Sequence, residues 1–198
     1  MTTTASFNDT FKVSDNVAVI VPETGIQVTY RDLSHITGHF QTLFRSPESP
    51  LYDIVGRQSS VAIAMPNGLE FIAAFLGATT DAKIAAPLNP NYKEKEFNFY
   101  LNDLKAKVIC VPRGTTKKTP KAEVIKSAIG FKCFIAELHF DPKRFRVEYE
   151  LYSPNDNYGK IVYSSQNNSV FVNHTEQFPG FARSSDVALI LHTSGTTS

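Results

Sequence analysis

Hydrophobic and polar positions fall into blocks along this chain, and each block predicts an element. Residues 17–21 (VAVIV) are apolar and mostly β-branched, residues 22–25 (PETG) are turn material, and residues 26–30 (IQVTY) run extended again. That pattern predicts a hairpin. Thr29 stands three residues before Asp32, an acidic variant of the capping box, and Leu33, Ile36, Phe40, Leu43 and Phe44 follow at helical spacing. Ser46-Pro47 and Ser49-Pro50 predict the end of that helix.

A second block starts at residues 61–65, a short apolar strand that Pro66-Asn67-Gly68 turns into a helix over residues 69–80. This helix is apolar almost all round, which predicts burial on several sides. Residues 84–88 predict a strand ending at Pro87 and Pro90. Asn91 is placed to cap the next helix, with Glu94 at the box position and Phe97, Tyr100, Leu101 and Leu104 as its apolar stripe. Residues 107–111 predict another strand. Strand, helix, strand, helix, strand is the pattern of an α/β fold, a mainly parallel sheet flanked by helices with right-handed crossovers. Thr119-Pro120 then opens a helix that Gly130 closes.

Beyond Phe131 the period changes. Residues 133–138, 145–152 and 160–163 are β-rich, and polar loops at 153–158 and 164–169 separate them, so a β-rich excursion at about 131–172 is expected. Residues 179–185 lead into a last apolar run, 187–191, which predicts a buried strand.

Composition narrows the class. The 198 residues are enough for a substantial core, and 20 Lys plus Arg against 19 Asp plus Glu leave a net charge of +1. Near-neutrality gives no global case for nucleic acid or an anionic membrane. The basic stretch from Lys105 to Lys126 has little aromatic interleaving and reads as a solvated face. Cys110 and Cys133 each sit in an apolar run and read as reduced core thiols. His35 and His39 stand four apart on the first helix, but no third ligand is near, so packing is expected rather than zinc. The N-terminus has no secretory pattern, and the glycosylation-type triplets at Asn8, Asn167 and Asn173 read as chance.

The last run feeds a loop of small hydroxyl residues: Thr193, Ser194, Gly195, Thr196, Thr197 and Ser198. Successive backbone N–H groups in such a loop can form an anion-binding nest, and hydroxyls add donors to phosphate oxygens. No Gly-x-x-x-x-Gly-Lys pattern is present, so this is not the ordinary P-loop. A plain Ser/Thr-rich turn has the same composition, and the loop alone does not separate the two.

LHTSGTTS at residues 191–198 resembles the phosphate-binding signature of the adenylate-forming superfamily, which includes acyl-CoA synthetases, luciferases and peptide-synthetase adenylation domains. VTYRDL at residues 28–33 resembles that family's hairpin-to-helix segment. Residues 61–111, with Pro87-Leu88-Asn89-Pro90 leading into a helix, resemble its first αβ units. One departure is Ala82-Lys83, where the family usually has Ala-Gly.

The resemblance implies an incomplete AMP-binding domain over residues 12–198, the N-terminal part of an acyl-CoA synthetase type. The family's loop lysine, adenine and magnesium motifs, and small C-terminal domain with a catalytic lysine would lie past Ser198. It implies ATP, Mg²⁺ and CoA as cofactors, and a small carboxylic acid, oxalate-like, as substrate. A carboxylate would attack the α-phosphate of ATP, and the CoA thiol would then displace AMP. Thr193, Ser194, Gly195, Thr196, Thr197 and Ser198 would hold phosphate, with His192 either beside the nucleotide or a strand-end residue without a role. The implied compartment is the peroxisome, or the cytoplasm for a chain lacking the C-terminal address. The chain alone is expected to be inactive, and its last apolar strand, if unpaired, to favour aggregation. The alternatives are a non-catalytic nucleotide-binding or interaction module, and an unrelated α/β domain.

Overall fold

The computed structural model describes residues 6–118, 122–167 and 179–192. A two-stranded hairpin, β1 (Val17–Val21) and β2 (Ile26–Thr29), leads into helix α1 (Tyr30–Arg45). The predicted capping box is in place. Thr29 accepts from the Asp32 backbone N–H at 3.1 Å, and the Asp32 carboxylate accepts from the Thr29 N–H at 2.9 Å.

Strand β3 (Ser60–Ile63), helix α2 (Leu69–Thr80), strand β4 (Ile84–Pro87), helix α3 (Glu94–Leu104) and strand β5 (Val108–Pro112) follow. A single-turn helix α4 (Thr115–Lys118), helix α5 (Glu123–Phe131), and strands β6 (Phe134–Asp141), β7 (Arg146–Tyr152) and β8 (Ile161–Ser164) complete the described elements. The six-stranded sheet runs β4-β3-β5-β6-β7-β8. Its first four strands are parallel, and β7 and β8 extend it antiparallel. Of the β-rich excursion expected at about 131–172, β6 is instead part of the parallel sheet, β7 and β8 lie beyond it, and residues 168–172 are outside the described residues.

Crossover handedness explains where the helices lie. The β3-to-β4 connection moves one way along the sheet, and the β4-to-β5 and β5-to-β6 connections move the other way. Crossovers of one hand that move in opposite directions lie on opposite faces. Accordingly α2, with α1, covers one face, against Val61, Ile63, Ala85, Val108, Cys110, Ala136 and Leu138. Helices α3 and α5 cover the other, against Ala62, Ala64, Ala86, Ile109, Val111 and Ile135. The strict alternation along β3 and β5 is the period of two that a strand buried on both faces presents. Helices α1 and α2 approach closely at Gly77, where a Cβ would meet Phe40 Cδ1 at 2.3 Å.

Two helix ends differ from expectation. Helix α3 starts at Glu94 and not just after Asn91. Asn89 Oδ1 accepts from the Asn91 N–H at 2.9 Å in a local turn, and Glu96 closes the helix start by accepting from the Lys93 N–H at 2.9 Å. Helix α5 runs through Gly130 to Phe131. Its stop is Lys132, in the left-handed region at φ 52°, whose N–H reaches back to Ala128 and Ile129 carbonyls. Thr119 and Pro120, expected to open α5, lie outside the described residues; Ala122 is its N-cap.

Candidate functional site

The chain reaches its last described residues along a strap. Thr80 O accepts from the N–H groups of Phe181 at 2.7 Å and Ala182 at 3.0 Å. The Gln41 carboxamide donates to Thr80 Oγ1 at 2.7 Å and to Pro179 O at 3.3 Å. The Arg45 guanidinium lies 4.2 Å from the Phe181 ring centroid and is itself held by Asp81 at 2.7 Å. Lys83, the departure from Ala-Gly, is buried and pairs with the other oxygen of Asp81 at 2.8 Å. One carboxylate thus sets two cations, and one of them holds the strap.

Past the strap the chain runs beside β4. Arg57 pairs with Asp186. The Gln58 carboxamide accepts from the Val187 N–H at 2.8 Å and donates to Val187 O at 3.3 Å. Ala85 donates to Ala188 O at 2.9 Å, and Ile190 donates to Ala85 O at 3.0 Å, a single parallel bridge of Leu189 on Ala85. The buried strand expected at 187–191 is therefore corrected to an edge segment. Val187, Leu189 and Leu191 are exposed, and Ile190 packs on the α3–α5 core. An apolar run reports its composition but not which edge of a sheet it meets, and among the described residues none covers the outer side of this one.

His192 ends the described chain. Its Nε2 lies 2.9 Å from Asp103 Oδ2, and its ring sits 4.6 Å from that of Tyr100. Tyr100 and Asp103 are three apart on α3 and so share a face. Tyr100 also stacks on Tyr92 at 5.0 Å, and its hydrogen bond pushes the Tyr92 hydroxyl pKa up. With Nε2 facing a carboxylate, Nδ1 is the free nitrogen; it is buried and has no partner among the described residues. Thr193, Ser194, Gly195, Thr196, Thr197 and Ser198 lie outside the described residues.

The remaining candidates from sequence resolve as packing groups. His39 is buried between Tyr149 and Glu148, and desolvation, then Arg146, pushes its pKa down to about 4. Among the described residues no three His, Cys, Asp or Glu gather to hold a metal ion. Cys110 and Cys133 are buried free thiols, pushed up to about 12 and about 11 by burial. Within the basic stretch, Lys126 pairs with Glu123 at 3.0 Å. No described helix is long and apolar enough to cross a membrane. A cleft of about 260 Å³ opens along the strap, lined by Ser6, Thr10, Thr79, Arg183 and Asp186 among others. An apolar cleft of about 630 Å³ lies between the hairpin and the start of α2.

Arg57, Gln58, Tyr100 and Asp103 were not singled out as site residues by pattern. The three-residue spacing of Tyr100 and Asp103 could have paired them with each other, but nothing local links them to His192.

Parallel strands with helices on both faces, and a last segment laid along the edge strand β4, define an α/β domain. The sequence profile of the AMP-binding enzyme family matches residues 8–198, and the chain belongs to that family. An unrelated α/β domain is thereby set aside. The chain is similar to the oxalate–CoA ligase of Saccharomyces cerevisiae, 73% identical over 198 residues, which are 100% of this chain and 36% of that protein. Its fold is similar to the acyl-CoA synthetase of Brucella canis, at a TM-score of 0.60 and 16% identity over 96% of this chain and 30% of that one. It is also similar to MatB from Rhodopseudomonas palustris in its ATP-bound crystal structure, at a TM-score of 0.55 and 19% identity over 88% and 28%. The chain spans roughly a third of the length of these relatives.

Proposed function

We propose that this chain is the phosphate-loop-bearing part of an ATP-dependent acid–CoA ligase, with oxalate or a similarly short acid as substrate. The observation that carries this is the 73% identity to the yeast oxalate–CoA ligase in an alignment that spans the whole chain, residues 193–198 included. In this reading Thr193, Ser194, Gly195, Thr196, Thr197 and Ser198 cradle the β- and γ-phosphates of ATP while charge moves onto pyrophosphate. Donors that are aligned beforehand stabilise that charge without reorganisation. His192 sits beside the nucleotide. Mg²⁺ would share the phosphate charge, beside the hydroxyl groups of residues 193–198. CoA enters only through the family reading.

The chain covers about a third of the yeast ligase, so in this reading it supplies phosphate contacts and the complete transfer is a property of the protein that carries it. The peroxisome is the compartment this reading suggests. The test is exchange of labelled pyrophosphate into ATP by the protein that carries this chain. Exchange that depends on oxalate is expected. Exchange with long-chain acids and none with oxalate would overturn the substrate assignment, and no exchange with any acid would overturn the ligase reading.

A further inference from the structure

We infer that Gln58 is a positioning residue that fixes the register of the edge segment leading to residues 193–198, standing in for a β-strand neighbour. The inference rests on the proposed role of residues 193–198 for its consequence, but its geometry is independent of that role.

Two residues paired across an antiparallel ladder exchange an N–H and a carbonyl with each other. The side chain of Gln58 does this with Val187: Oε1 accepts from the Val187 N–H at 2.8 Å, and Nε2 donates to Val187 O at 3.3 Å. The same Nε2 reaches Ala82 O at 3.2 Å, which also accepts from the Gln58 backbone N–H at 2.7 Å. The carboxamide therefore ties the turn that precedes β4 to the returning chain. One residue earlier, Arg57 pairs with Asp186; one residue later, Ala188 begins the bridge to Ala85. Anchoring points at Asp186, Val187, Ala188 and Ile190 hold the segment, where a single β-bridge alone would hold little.

Gln58 also has φ 58°, in the left-handed region. Glycine takes that region without penalty and asparagine with less than most, whereas glutamine is disfavoured there. A side chain kept at a conformation that suits glycine better points to use of that side chain. A slip of one residue in this segment would turn Ile190 out of the core and shift the following loop along the chain. Gln58 opposes that slip at Val187, six residues before Thr193.

The experiment compares Gln58→Gly, Gln58→Leu and Gln58→Glu in the protein that carries this chain. It reads amide exchange at Val187 and Ile190, thermal stability, and ATP affinity. Gly relieves the backbone but deletes the carboxamide, so it is expected to leave thermal stability unchanged or raised. Exchange at both amides speeds up and ATP affinity falls about tenfold or more. Leu keeps the bulk and gives the same loss. Glu keeps the acceptor for the Val187 N–H but not the donors, and falls between. Exchange rates in Gln58→Gly and Gln58→Leu equal to the parent would overturn the register claim. Exchange that speeds up while ATP affinity stays within about twofold would overturn its consequence for the loop. Should the parent bind no ATP, the phosphate-loop reading falls while amide exchange still decides the register. Should Gly unfold the protein, Leu and Glu decide it by the same amides.

Discussion

His192 Nε2 and Asp103 Oδ2 lie 2.9 Å apart, joining the last described residue to the outer face of α3 across 89 positions of sequence. A carboxylate opposite Nε2 selects the tautomer that carries its proton there and leaves the buried Nδ1 as the acceptor nitrogen. Asp103 is more than half exposed, so the pair contributes under about 1 kcal/mol to stability. Asp103→Asn is therefore expected to leave the thermal midpoint nearly unchanged while shifting the ¹⁵N resonances of the His192 ring. Unmoved ring resonances would show that Asp103 does not orient the imidazole.

Acid stability is governed in part by His39. Burial holds it neutral, with a folded pKa of about 4 against an ordinary value of 6.5. The unfolded chain therefore binds a proton in this window that the folded one does not. The stability from a neutral His39 is complete above the ordinary value and is lost as pH falls through the window toward about 4. The difference corresponds to about 3 kcal/mol. Denaturant titrations across this range should show a slope that His39→Gln flattens. An equal slope in the variant would contradict the assignment.

The two thiols should be silent in the folded protein. Burial pushes Cys110 up to about 12 and Cys133 up to about 11, and the Cys133 sulfur also donates to Ala106 O at 2.9 Å. The thiolate is the reactive form, so iodoacetamide at neutral pH is expected to label neither until denaturant is added. Prompt labelling of the native chain would contradict this.

Gly180 is where the strap comes closest to α2. A Cβ there would stand 2.2 Å from Thr80 O, the acceptor for Phe181 and Ala182. Gly180→Ala forces the strap off its anchor, at a cost of about 1–3 kcal/mol. Thermal denaturation should show the loss, and amide exchange at Phe181 and Ala182 should rise with it. A variant as stable as the parent would mean the strap is not held as described.

Much of the fold was legible because it is written in local pattern. Thr29 and Asp32 announce the start of α1 by their spacing, and the apolar residues of β3 and β5 alternate between the two helix layers. Helix ends were less legible. Glu96 rather than Glu94 closes the start of α3, and Lys132 in a left-handed conformation, not Gly130, stops α5. Both depend on how the chain turns next. The 187–191 run shows the limit most clearly. Its apolar character said strand, but its edge position follows from Arg57, Gln58 and Ala85, which are remote in sequence. The family resemblance of LHTSGTTS proposes a role for the loop, whereas the residues that deliver the chain toward it are visible only in three dimensions.

The measurement that tests the central claim most directly is equilibrium binding of ATP, pyrophosphate and adenosine to the folded protein, repeated with Thr193→Val, Ser194→Ala and Thr196→Val combined. If residues 193–198 hold the phosphates, ATP and pyrophosphate bind, adenosine binds far more weakly, and the combined variant loses about tenfold or more for both phosphate ligands. Adenosine binding as tight as ATP, or phosphate affinity unchanged in the variant, would contradict it.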